Sequence, residues 1–133
     1  MAISEQKYEE LLKTIFHDVL SQKKFDLLDQ VCTKNAVFND GKETVVGLEA
    51  IKKLVTDRNA AVPDFVYTID DTIIKGDKAV VRWHAKGHAQ HDTGGFQAGQ
   101  SANYWGTSWF QVENDLITKT WANSSVVDVI PEN

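Results

Sequence analysis

The stretch Lys78–His91, KAVVRWHAKGHAQH, decides how the chain is read. Val81, Trp83, Ala85, Gly87 and Ala89 alternate with Arg82, His84, Lys86, His88 and Gln90. Side chains of a strand point to opposite faces with a period of two. The stretch is therefore a long antiparallel strand with one apolar face and one charged, wet face. Its apolar face shrinks from Trp83 through Ala85 to Gly87. Two uses of that narrowing are open: space for a ligand over the sheet, or a helix packed close against it. Gly76-Asp77 precedes the strand as a turn dipeptide, with Gly where a positive φ costs little. The runs Phe65–Lys75 and Asn103–Glu113 are also strand-like, which makes this stretch a middle strand.

Before Phe65 the period is helical. Ser4 is a good N-cap, and Tyr8, Leu11, Leu12, Ile15, Val19 and Leu20 then recur at three and four, a helix to about Lys23. Asp26 opens a short second helix carrying Leu27, Leu28, Val31 and Cys32. Ala36–Asp40 is a short extended piece ending in the turn pair Asp40-Gly41. A third helix follows Gly47, with Leu48, Ile51, Leu54 and Val55 on one face, and Pro63 stops it. The loop His91–Gln100 is polar and Gly-rich. Asn114-Asp115 is a tight turn into a last strand, Leu116–Val129, which ends at Pro131. Three helices followed by a meander of long strands define an α+β class. The expected architecture is cone-shaped: three N-terminal helices on a curved, mainly antiparallel sheet, in a single domain over residues 1–133.

The totals narrow the partners. A formal net charge of −5, with no basic stripe, argues against nucleic acid. No apolar run approaches the roughly 20 residues of a membrane span, and the first residues lack a signal-peptide pattern. One cysteine, Cys32, cannot form an internal disulfide and suits a reducing compartment, so the expected location is cytoplasmic. Four Trp, three Tyr and six Phe are enough to line a cavity as well as fill a core.

The order of these pieces resembles the nuclear-transport-factor-2-like fold and, within it, the SnoaL-like polyketide cyclases. AVFND at 36–40, the Gly-led helix at Gly47, GDKAVVRWHAKGH, the Gly-rich loop and WGTSWFQVENDLITKTW carry the resemblance, which covers nearly the whole chain. It implies acid–base chemistry on a carbonyl compound without metal or cofactor: ring closure by an aldol step, or isomerisation in the ketosteroid-isomerase relatives. Typical cyclases read Gly-Thr-His after the second long strand. This chain has Gly87, His88 and Ala89, displacing the His by one position. They also read Glu-x-Trp-x-x-x-Asp in the last strand. Here Lys119, Trp121 and Ser125 stand at those places, so both carboxylates are missing. Asp40 falls where the isomerases keep their base, and Ser108 where they carry an acid that hydrogen-bonds the enolate.

Asp40 is the best candidate base by this reading, although Asp-Gly is also an ordinary turn pair. His88 shares the polar face of its strand by strict alternation, and only a bulge at Gly87 would turn it inward as an acid–base group. His84, His88 and His91 lie near one another, but no carboxylate cluster supports a metal there, and none is expected. Trp83, Tyr104 and Ser108 are the expected substrate-binding residues of the middle strands. Trp121, Asn123 and Ser125 share one face of the last strand and join them if Trp121 points inward. The expected ligand is small, hydrophobic and carbonyl-bearing. The competing reading is a binding or scaffold module that lost the catalytic carboxylate.

A second surface follows from the same alternation. Trp105 and Trp109 lie opposite Ser108, as Arg82 and His84 lie opposite Trp83. If the helices cover the Trp83 and Ser108 faces, these residues form one outer surface of interface composition. A homodimer packed sheet to sheet is expected.

Overall fold

The computed structural model describes residues 3–92 and 97–126. The end of the expected last strand and the centre of the Gly-rich loop lie outside them. Helix α1 (Glu5–Lys13) starts where the Ser4 hydroxyl accepts the Lys7 N–H at 3.1 Å. It continues as wider π-helical turns over Thr14–Ser21. Its apolar stripe buries Tyr8, Leu11, Leu12, Ile15, Phe16 and Val19. The end is tied to the sheet: the Ser21 hydroxyl donates to Phe16 O and accepts the Tyr67 N–H at 2.9 Å. Lys23 breaks the helix at a φ of 63°, and its ammonium donates to Leu20 O and Phe65 O.

A 3₁₀ turn, Phe25–Leu27, leads into the four-residue α2 (Leu28–Val31). Cys32, expected at the end of that helix, instead begins β1 (Cys32–Asn39). The polar run Thr33–Asn35 concealed the first half of this strand. β2 (Thr44–Val46) and α3 (Leu48–Ala61) follow, then β3 (Val66–Lys75), β4 (Lys78–His88), β5 (Ser101–Glu113) and β6 (Leu116–Val126). The sheet order is β2-β1-β6-β5-β4-β3. β1 runs parallel to β6, and every other neighbouring pair is antiparallel. The expected α+β cone is present as helices on an open, six-stranded mixed sheet, two strands wider than the meander alone.

Two irregularities set which side chains face inward. Asn114 and Asp115 both take positive φ, 51° and 63°, forming the tight turn between β5 and β6. Val112 then pairs with Ile117, but Gln111 pairs with Lys119, so Thr118 is an extra residue. A regular ladder from that turn would set Ser108 opposite Trp121. With the bulge, Ser108 pairs with Ala122 and Trp109 with Trp121. A second shift, between Ile69 and Asp71, makes Asp70 the extra residue of β3.

The inner face of the sheet carries the core. Phe16 of the first helix meets Phe110 at 6.2 Å, Trp83 at 6.3 Å and Tyr67 at 6.4 Å between ring centres. α3 packs over β1 and β2, and the π-helical turns over β3. The narrowing of β4 is explained by packing. A Cβ at Gly87 would lie 2.5 Å from Val62 Cγ1 and 3.0 Å from Phe65 Cδ1. The connection from α3 to β3 fills that space. No helix among the described residues is long and apolar enough to cross a membrane.

Candidate functional site

Between the helices at its two edges the concave face bears Trp83 of β4, Tyr104, Gly106 and Ser108 of β5, and Ala122 and Ser124 of β6. The pairings Trp83–Gly106–Ser124 and Val81–Ser108–Ala122 place them in adjacent rows. Ser124 is exposed although it stands on this inner face. Trp83 donates its indole N–H to the buried Ser108 hydroxyl at 3.0 Å. That bond uses one acceptor site of a group that can also donate. Gly106 is required beneath the indole, because a Cβ there would come within 2.6 Å of Trp83 Cζ2 and 2.7 Å of the Asn123 carbonyl.

An aromatic wall rises from this floor. Tyr67 lies 5.5 Å from Trp83 and 5.6 Å from Phe65, and Phe65 lies 5.6 Å from Tyr104 between ring centres. Burial pushes the Tyr67 phenol up to about 12, while the nearby Arg58 charge works against that rise. Tyr104 is raised by the same cause, with Arg58 again opposing. Both phenols are therefore neutral at physiological pH.

Arg58 comes from α3 and stands 5.8 Å above the Phe38 ring. Its Nη2 donates to Asp40 Oδ2, and the backbone N–H groups of Lys42 and Glu43 donate to Asp40 Oδ1 at 2.9 and 3.0 Å. These bonds, the two backbone donors first, hold Asp40 down at about 2. A base that abstracts a proton near neutral pH needs a pKa near that pH. Asp40 is thus a fixed counter-ion of Arg58, of low basicity.

The pairing of β4 with β5 runs without a shift from Lys78 to His88. No bulge turns His88 inward, and its side chain is 63% exposed. Its backbone N–H donates to Asp64 Oδ1, and its Nδ1 lies 2.8 Å from Asp64 Oδ2. The geometry thus differs from the inward placement a catalytic His88 needs. Trp121, Asn123 and Ser125 also stand outside, on the face of Trp105 and Trp109, because of the bulge at Thr118. The structure brings Trp83, Tyr104 and Ser108 together on one face. Among the described residues no three His, Cys, Asp or Glu side chains converge as metal ligands.

Arg58, Tyr67 and Ser124 were not singled out by the sequence reading. Arg58 did leave a signal: with Leu48, Ile51 and Val55 it continues the apolar stripe of α3, a charge on the face that packs inward. Ser124 had none, since its direction depends on the bulge.

The outer face has its own chemistry. Trp105, Trp109 and Trp121 are 41%, 49% and 40% exposed, and Trp109 pairs directly with Trp121. Beside Trp105 stands His84, whose Nδ1 lies 2.9 Å from both oxygens of Asp70, the bulge residue of β3.

The SnoaL-like domain family matches residues 14–120, and the chain belongs to that family. None of the curated proteins compared matches it. Among solved structures it is similar to a candidate SnoaL-like polyketide cyclase from Jannaschia sp. CCS1, with a TM-score of 0.83 and 14% identity over 94% of this chain and 91% of that one. It is similar to TsrD from Streptomyces laurentii, with a TM-score of 0.81 and 19% identity over 92% of this chain and 91% of that one. An LEH-like epoxide hydrolase from M. tuberculosis follows, with a TM-score of 0.72 and 14% identity over 90% and 84%. At these identities the likeness establishes the fold, and one fold serves many chemistries.

Proposed function

We propose that this protein binds a small, largely apolar, carbonyl-bearing molecule on the concave face of its sheet. Trp83, Tyr67, Phe65 and Tyr104 contact its body, and Ser108 and Ser124 orient its oxygen. The aromatic wall beside a polar floor supports the reading. Of the two forms the function can take, binding without proton abstraction is favoured. The observation that carries it is the clamp on Asp40, which leaves the carboxylate at the pocket ionised and weakly basic.

The second reading is an enzyme: a cyclase, as the names of several structural neighbours suggest for those proteins, or an isomerase. In it Asp40 is the base and the Tyr104 phenol and Ser108 hydroxyl stabilise the oxyanion. A thermal-shift screen of β-ketones and enones separates the two, run alongside turnover measurements on every compound that binds. Ligands that raise the melting temperature with no turnover above buffer support the binding reading. Turnover that Asp40→Asn abolishes establishes the enzyme instead. We further propose a cytoplasmic homodimer formed through Trp105, Trp109 and Trp121, with Arg82 and His84 at its margin.

A further inference from the structure

Arg58 is the one arginine that reaches the concave side among the residues described above, and the fold invests in it. The Arg58 side chain is half exposed. Three features fix its position. Asp40 binds one edge of the group, the Phe38 ring lies beneath it, and the two phenols of Tyr67 and Tyr104 stand within range of its charge. Asp40 is itself immobilised by the Lys42 and Glu43 backbone N–H groups. It therefore fixes the orientation of Arg58 through the bond to Nη2. A guanidinium carries its N–H donors in a planar fork, and the bond to Asp40 through Nη2 occupies one side of that fork. A planar fork of this kind matches a carboxylate in two parallel hydrogen bonds.

We infer that the ligand of this pocket is an amphipathic monoanion: a flat apolar body against Tyr67, Trp83 and Tyr104, with one carboxylate seated on Arg58. The inference rests on the pocket reading above and adds the ligand's charge. The neutral Tyr67 phenol suits it, since a phenol can donate an O–H to a carboxylate oxygen.

The test uses the full-length protein and three acids with their methyl esters: benzoate, 2-naphthoate and anthracene-2-carboxylate. Affinities are read by calorimetry at neutral pH and low salt. The best acid should bind about tenfold or more tightly than its ester, and the preference should weaken as salt rises. Arg58→Gln should abolish the preference while ester binding persists, and Arg58→Lys, which keeps the charge, should retain part of it. Circular dichroism of both variants verifies the fold. If an ester binds as well as its acid, or Arg58→Gln keeps the preference, the inference is overturned while the pocket reading stands. If neither acids nor esters bind, both fail.

Discussion

Arg58 of α3 and Asp40 at the end of β1 form an ion pair across the helix–sheet boundary, beside the concave face. Asp40 is 16% exposed in this pair and Arg58 48%. The pair joins the two backbone donors in holding the Asp40 carboxylate ionised. The consequence is electrostatic and can be measured by titration.

Asp40 has a folded pKa of about 2, below its ordinary value of 3.8. A depressed carboxylate stabilises the fold fully above its unfolded pKa and loses that contribution as pH falls through the folded value. Asp40 therefore contributes at neutral pH, and the contribution disappears between about pH 4 and pH 2. Urea midpoints of the wild type and Asp40→Asn should converge over that interval and stay parallel above pH 5. A constant difference down to pH 2 would contradict the assignment.

Ser108→Ala should leave the Trp83 indole N–H without its partner in a buried setting. The expected cost is about 1–3 kcal/mol of stability, seen as a lower urea midpoint at unchanged slope. Ser108→Thr keeps the hydroxyl and tests whether the hydrogen bond or the space matters.

Gly106→Ala inserts a methyl group where Trp83 and the Asn123 carbonyl leave no space. The loss should be about 1–3 kcal/mol, the range for overpacking a core. The Trp83 ring must shift to accept it, so ligand affinity should fall in the variant that still folds.

The three exposed tryptophans predict assembly. Trp109→Glu should convert a dimer to a monomer in sedimentation at low micromolar concentration, with the far-ultraviolet circular dichroism unchanged. A wild-type species already at 14.9 kDa would end the dimer proposal.

His88→Ala should leave ligand binding untouched, because His88 stands outside the cone beside Asp64. A loss of affinity in a folded variant would mean that the site extends around the edge of β4.

Local pattern alone determined the class of this protein. Alternation along Lys78–His91 and Asn103–Glu113 placed two inner strands of the sheet, and the three-four spacing placed the helices. Alternation grouped Tyr104 with Ser108, the family resemblance put that group inside with Trp83, and the regular β4–β5 ladder sets all three on one face. Tertiary structure decided the rest. A single extra residue at Thr118 reverses the facing of everything after it in β6. Trp121, Asn123 and Ser125 went outward and Ser124 inward, and period two by itself does not reveal where a ladder slips. Arg58 and Asp40 are 18 residues apart in sequence. Their pairing needs α3 laid over β1, a contact that neither residue's own type announces.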